Sequence, residues 1–195
     1  MARTLEAIDA ALERWIGRQP LFFVGTAPLA ATGHVNLSPK GPIGTLAVLG
    51  PQEIAYVDFV GSGAETIAHL CENGRITVMF CSFDREPKIL RLYGSGRVVR
   101  PDSAEWESLS GHFGTGHAGT RSIIVVGVER IADSCGYSVP YMELAGERSL
   151  LDDQHGRRTP EEWVPRIERN TNSIDGLPAL APDHPAPPVS APGGG

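Results

Sequence analysis

Between Thr32 and Val99 the chain alternates short apolar runs with Gly and Pro breakers, and the links between those runs are short. Thr45–Leu49 is closed by Gly50-Pro51, and Ile54–Phe59 follows at once. Ile76–Cys81 is almost wholly apolar and is joined to Ile89–Val99 through the turn Asp84–Pro87. A parallel crossover takes about a dozen residues or more. These links are too short for one, so the runs predict antiparallel strands curled into a barrel. Leu21–Ala27 supplies an earlier strand and Arg121–Ile131 a later one. Period-two alternation puts Ile54, Tyr56 and Asp58 on one face and Ala55, Val57 and Phe59 on the other. Gly94 and Gly96 inside the long strand predict a bulge or sharp bend.

Helical signals flank and interrupt the strands. Leu5, Ile8, Leu12, Trp15 and Ile16 recur every three or four residues, which predicts an amphipathic helix over 4–18, ended by Gln19-Pro20. Ser62 and Glu65 have capping-box spacing and predict a helix to about Glu72, with Ile67, Leu70 and Cys71 inward and Asn73-Gly74 as its stop. Ala104–Phe113 reads as helical. So does 145–171, broken near Gly156 and restarted by Thr159 as N-cap with Pro160 next. Residues 1–180 are expected to form a single domain. The Pro/Gly-rich tail 181–195 has too little apolar bulk to offset its ordering entropy and is expected to be disordered.

The net charge of −6 argues against non-specific nucleic-acid binding, which needs clustered Lys and Arg. No apolar run approaches the roughly 20 residues of a membrane span. The N-terminal stretch carries acids and lacks a signal-peptide core, which predicts a cytoplasmic protein. Cys71, Cys81 and Cys135 form no CxxC pattern, so neither a disulfide framework nor a zinc site is expected.

The segment Gly33–Gly41, GHVNLSPKG, reads as a polar turn with one cation. Lys40 beside Ser38 is an anion clamp or a solvated turn lysine. Asn36 and Ser38 alternate with Val35 and Leu37 and offer neutral donors and acceptors, either to a ligand or to the turn itself. Ser62 is a helix N-cap, a role compatible with holding phosphate. Arg91 lies in an apolar strand and needs a partner, for which Asp58, Glu65 or a bound anion qualifies. Tyr93 shares its face and is either a stacking ring or a core tyrosine. His112 and His117 sit in a glycine-rich loop without metal-pair spacing.

GHVNLSPKGP, then IAYVDF, then GSGAETIAHLCENGRITVMF, then ILRLYGSGRVV follow an order and spacing that resemble the pyridoxamine 5′-phosphate oxidase-like flavin proteins. The later SCGYSVP and SIDGLPAL resemble a bacterial branch of that family. The resemblance implies a mainly β (α+β) fold: an antiparallel split β-barrel with flanking helices. It also implies a homodimer with FMN at the subunit interface and an FMN-dependent oxidoreductase acting on a small molecule. Carried over by position, it implies cofactor contacts from Asn36, Ser38, Lys40, Asp58, Ser62, Thr66, Arg91 and Tyr93. Gly63-Ala64-Glu65-Thr66 stands where the oxidase proper has a cationic cluster. A deazaflavin-dependent reductase of the same fold, or a ligand-binding barrel without catalysis, is therefore the alternative.

Overall fold

The computed structural model describes residues 3–113 and 119–181. The strands are β1 (Arg3–Leu5), β2 (Phe22–Thr26), β3 (Asn36–Lys40), β4 (Leu46–Gly50), β5 (Glu53–Phe59), β6 (Arg75–Cys81), β7 (Lys88–Val99) and β8 (Thr120–Cys135). They form one antiparallel sheet in the order β3-β2-β6-β7-β8-β5-β4, with β1 pairing β8. β8 runs beside β7 along its length, while β5 takes its first part and β1 its end. The helices are α1 (Ala10–Gly17), α2 (Glu65–Asn73), α3 (Trp106–Ser110), α4 (Leu150–Gly156) and α5 (Pro160–Glu168). Among the described residues no helix is long and apolar enough to cross a membrane.

The sheet curls until its two ends meet. Lys40 on β3, at one edge, lies 2.9 Å from Asp58 on β5, next to the other edge. Phe22 on β2 meets Tyr56 on β5 edge-on with ring centroids 5.4 Å apart, across the barrel interior. Phe22, Val24, Ile54, Tyr56, Phe80, Leu90, Leu92, Ile124 and Val126 fill that interior. The outward side chains of β5 and β8, Ala55, Val57, Ile123 and Val125, form a second core under Leu109 and Phe113. The alternation read along β5 therefore separates two cores. α2 carries the chain from β5 to β6, which lie three places apart in the sheet, and it buries Ile67 and Leu70 in the barrel core.

Four local readings are corrected. The N-terminal helix begins at Ala10, capped by the Asp9 side chain accepting from the Leu12 N–H, while residues 3–5 are a strand. Leu5 and Ile8 share the helical spacing but reach the core from outside the helix. The polar segment around Ser38 is not a turn; Asn36–Lys40 pairs with β2 as an edge strand, where Pro39 loses no ladder bond that matters. Ala64 is the N-cap of α2 without a side-chain bond, so the Ser62–Glu65 capping box does not form. Cys71 is exposed, as is Cys135, whereas Cys81 is buried. Thr159 does cap α5 in a full capping box. Gly74 ends α2 at φ +73°, a left-handed conformation that favours glycine. The glycine-rich loop read over 114–119 lies outside the described residues except for Gly119, and the tail lies outside them from 182.

The register of β7 and β8 shifts between Tyr93 and Gly94, where Glu129 is the extra residue on β8. A Cβ on Gly94 would lie 2.0 Å from the Gly127 carbonyl oxygen, a backbone atom that cannot swing away. Gly94→Ala is expected to cost about 2–3 kcal/mol through overpacking. The measurement is a lowered urea midpoint at unchanged slope.

Candidate functional site

Asn36, Ser38 and Lys40 alternate on the inward face of β3, each half-buried at the rim where β3 approaches β5 and α2. Two connected networks lie along this rim. In the first, the Ser38 hydroxyl donates to Asn36 Oδ1 at 2.9 Å. Asn36 Nδ2 donates to the hydroxyls of Thr26 and Thr66, each at 3.1 Å. Thr26 Oγ1 also lies 2.9 Å from His69 Nδ1. His69 is fully buried, and its Nε2 has no hydrogen-bond partner among the described residues.

The second network is charged. Asp58 is fully buried, and one carboxylate oxygen accepts from Lys40 Nζ at 2.9 Å. The other accepts from Arg121 Nε at 2.6 Å. Arg121 Nη2 donates onward to the Gly63 carbonyl at 2.9 Å, which ties the triad to the segment that opens α2. Burial alone would raise the Asp58 carboxyl. Arg121, and then Lys40, outweigh it and hold the group at about 2. Burial pushes the neighbouring Tyr56 hydroxyl well up, helped by the Asp58 charge. Two cations share one anion, so the triad keeps one net positive charge.

The start of α2 adds to this field. The first N–H groups of any helix lack an intrahelical acceptor. Ala64 supplies no side-chain cap to those of Glu65, Thr66 and Ile67. The Glu65 carboxylate accepts instead from the Ile174 N–H at 3.0 Å, so a segment 109 residues away holds it. That segment is anchored again at Asp175, which accepts from the backbone N–H of His34 and bonds its ring, both at 2.7 Å. The bond to Asp175 raises the exposed His34 ring, so the ionic part of this anchor is present below the raised value and is lost as pH rises through it, while the backbone bond stays.

Of the eight residues read from the sequence, Asn36, Ser38, Lys40, Asp58 and Thr66 come together in these networks. Ser62 lies exposed at the lip, two residues before the start of the α2 cap. Arg91 and Tyr93 sit apart, on the outward face of β7, and Arg91 Nη1 donates to Ser134 Oγ at 3.2 Å rather than to Asp58 or Glu65. Phe23, Met79, Pro39 and Leu37 lie on the same outward face of the adjoining strands. Arg121, Thr26 and His69 were missed. Arg121 carried the signal applied to Arg91, a single cation opening an apolar strand. His69 carried another, a polar side chain between the inward positions Ile67 and Leu70. Among the described residues no cluster of His, Cys, Asp and Glu is placed to hold a metal ion.

The rim can therefore receive an anion beside the uncapped helix start, with Lys40 at its edge and the Ser38 hydroxyl and Asn36 amide beyond it on β3, bonded within their own network. Phosphate fits this donor set. A family model described as pyridoxamine 5′-phosphate oxidase matches residues 8–135. The chain is 45% identical over 196 residues to the pyridoxamine 5′-phosphate oxidase family protein ustO of Aspergillus flavus, covering 90% of this chain and 76% of the relative. Crystal structures of HupZ from Group A Streptococcus share the fold at 23% identity. A single-residue variant has a TM-score of 0.53 over 65% of this chain and 99% of its own, and the parent protein 0.51 over 64% and 91%.

Proposed function

Because the chain belongs to the pyridoxamine 5′-phosphate oxidase family, we propose that it is a flavin-dependent oxidoreductase that takes FMN at the barrel rim as a homodimer. The observation that carries the reading is the uncapped start of α2 beside a buried triad with one net positive charge. A helix N-terminus favours anions through its free N–H groups and its dipole. Lys40, about a fifth exposed at its side chain, and Ser62 would hold the phosphate, with Thr66 behind them. Asn36 and Ser38 would meet the polar edge of the ring system. A bound flavin would supply the redox chemistry, hydride transfer between a donor and an acceptor. The chain itself would orient the ring, shield it from water and hold the phosphate.

The outer face supports the two-fold seam. Val35 is 75% exposed and Leu37 70%, on the same side of the sheet as the half-exposed Tyr93 with β2 and β6 between, an apolar surface suited to a second copy. Arg91 and Tyr93 lie on that face and would contact the cofactor across the seam. Fluorescence titration with FMN and with riboflavin, on wild type and Lys40→Ala, tests the site. The expected result is at least a roughly tenfold loss of FMN affinity in the variant, about 1.4 kcal/mol, with riboflavin binding unchanged. Circular dichroism checks that the variant is folded. Equal FMN affinity in the two proteins would remove Lys40 from the site.

A further inference from the structure

A second anion site lies away from the rim, on the C-terminal helices. Trp163 and Ile167 of α5 are buried in the core, and Asn170, just past its end, is buried too. The neighbouring stripe Glu162, Arg166 and Arg169 turns toward α4, where Asp153, Arg157 and Arg158 face it across a groove of about 580 Å³. Four guanidiniums and two carboxylates line this groove, a net charge of +2 in a chain of net charge −6. Both carboxylates are already engaged. Glu162 accepts from the Thr159 N–H at 2.9 Å to complete the cap of α5, and Asp153 accepts from the Ser149 hydroxyl at 3.0 Å. Arg157, Arg166 and Arg169 form no ion pair among the described residues.

Arg158 is held differently. Its guanidinium lies 5.4 Å from the Trp163 ring, and its Nη2 donates to Gln154 Oε1 at 3.0 Å. Its Nη1 is buried and has no hydrogen-bond partner among the described residues. The rest of the side chain lines the groove. Arginine presents paired N–H groups that match phosphate and carboxylate oxygens.

We propose that the groove between α4 and α5 binds a compact double anion of the diphosphate class. Arg158 forms the fixed floor of the site, and Arg157, Arg166 and Arg169 close over the ligand. The spacing of Arg166 and Arg169, one turn apart on one stripe, suits two adjoining anionic groups rather than one. Inorganic pyrophosphate and ADP share this chemistry, and comparing them separates recognition of the anion from recognition of an attached nucleoside.

The test is calorimetric titration of the full chain with inorganic pyrophosphate, with ADP and with orthophosphate. Wild type, Arg166→Gln/Arg169→Gln and Lys40→Gln are compared at fixed ionic strength. The expected result is saturable 1:1 binding of pyrophosphate, at least tenfold tighter than orthophosphate. Loss of at least tenfold is expected in the arginine variant, with little change in Lys40→Gln. ADP binding at equal strength would assign the anion alone, and tighter binding would add the nucleoside; both support the site. Binding abolished by Lys40→Gln but kept in the arginine variant would place pyrophosphate at the rim and overturn the proposal. So would equal affinity of wild type and the arginine variant, or heat matched by sodium chloride. Arg157→Gln, at the exposed end of α4, serves as a second variant if the double one does not fold.

Discussion

Asp58→Ala is expected to lose about 3–5 kcal/mol of stability, the range for removing one partner of a buried ion pair. Arg121 is 3% exposed and would keep its charge with the anion gone. Lys40, at the rim, can turn toward water; Arg121 cannot. The measurement is the urea midpoint of Asp58→Ala against wild type. Lys40→Ala should lose less, because Asp58 then keeps its 2.6 Å partner. The same carboxylate sets an acid limit. Its folded value of about 2 lies below the ordinary 3.8, so its contribution is present above about pH 3.8 and is lost as pH falls toward 2. The difference amounts to about 2 kcal/mol. In Asp58→Asn that part of the stability profile below pH 4 should flatten.

Trp163→Ala is expected to cost about 3–5 kcal/mol, the range for deleting a large buried aromatic. Trp163 is 2% exposed and packs edge-on against His155 at 5.1 Å, and His155 in turn lies 6.1 Å from Phe59 at the end of β5. This column of rings fastens α4 and α5 to the barrel. The loss should appear first as protease cleavage between α4 and α5, then as a lowered urea midpoint. Pyrophosphate binding should weaken alongside it, because Arg158 loses the ring it rests on.

The strands were legible because their periods and breakers are local. Gly74 marked the end of α2 since the chain needs a left-handed residue there, and Thr159-Pro160 marked the start of α5 for an equally local reason. What failed was decided from afar. The Ser62–Glu65 spacing satisfies a capping box on paper, yet Ile174 takes the Glu65 carboxylate from the other end of the chain. Residues 3–5 join the sheet because the far end of β8 has a free side there, which no helical spacing near Leu5 reveals. Asn36–Lys40 has the composition of a turn, and its pairing with β2 makes it a strand. At the site, the residue types were visible but their grouping was not. Lys40, Asp58 and Arg121 are spread over more than eighty positions, and only the curl of the sheet brings them within bonding distance.

That junction of β3 with β5 is sewn by side chains and not by a peptide ladder. Among the described residues opening it breaks no main-chain bond, so β3 is tied down by its ladder to β2 on one side and by the Lys40–Asp58 ion pair at its end on the other. Amide exchange in β3 should therefore outpace that in β6, and a bound anion drawing Lys40 away would loosen the ion pair while taking its place.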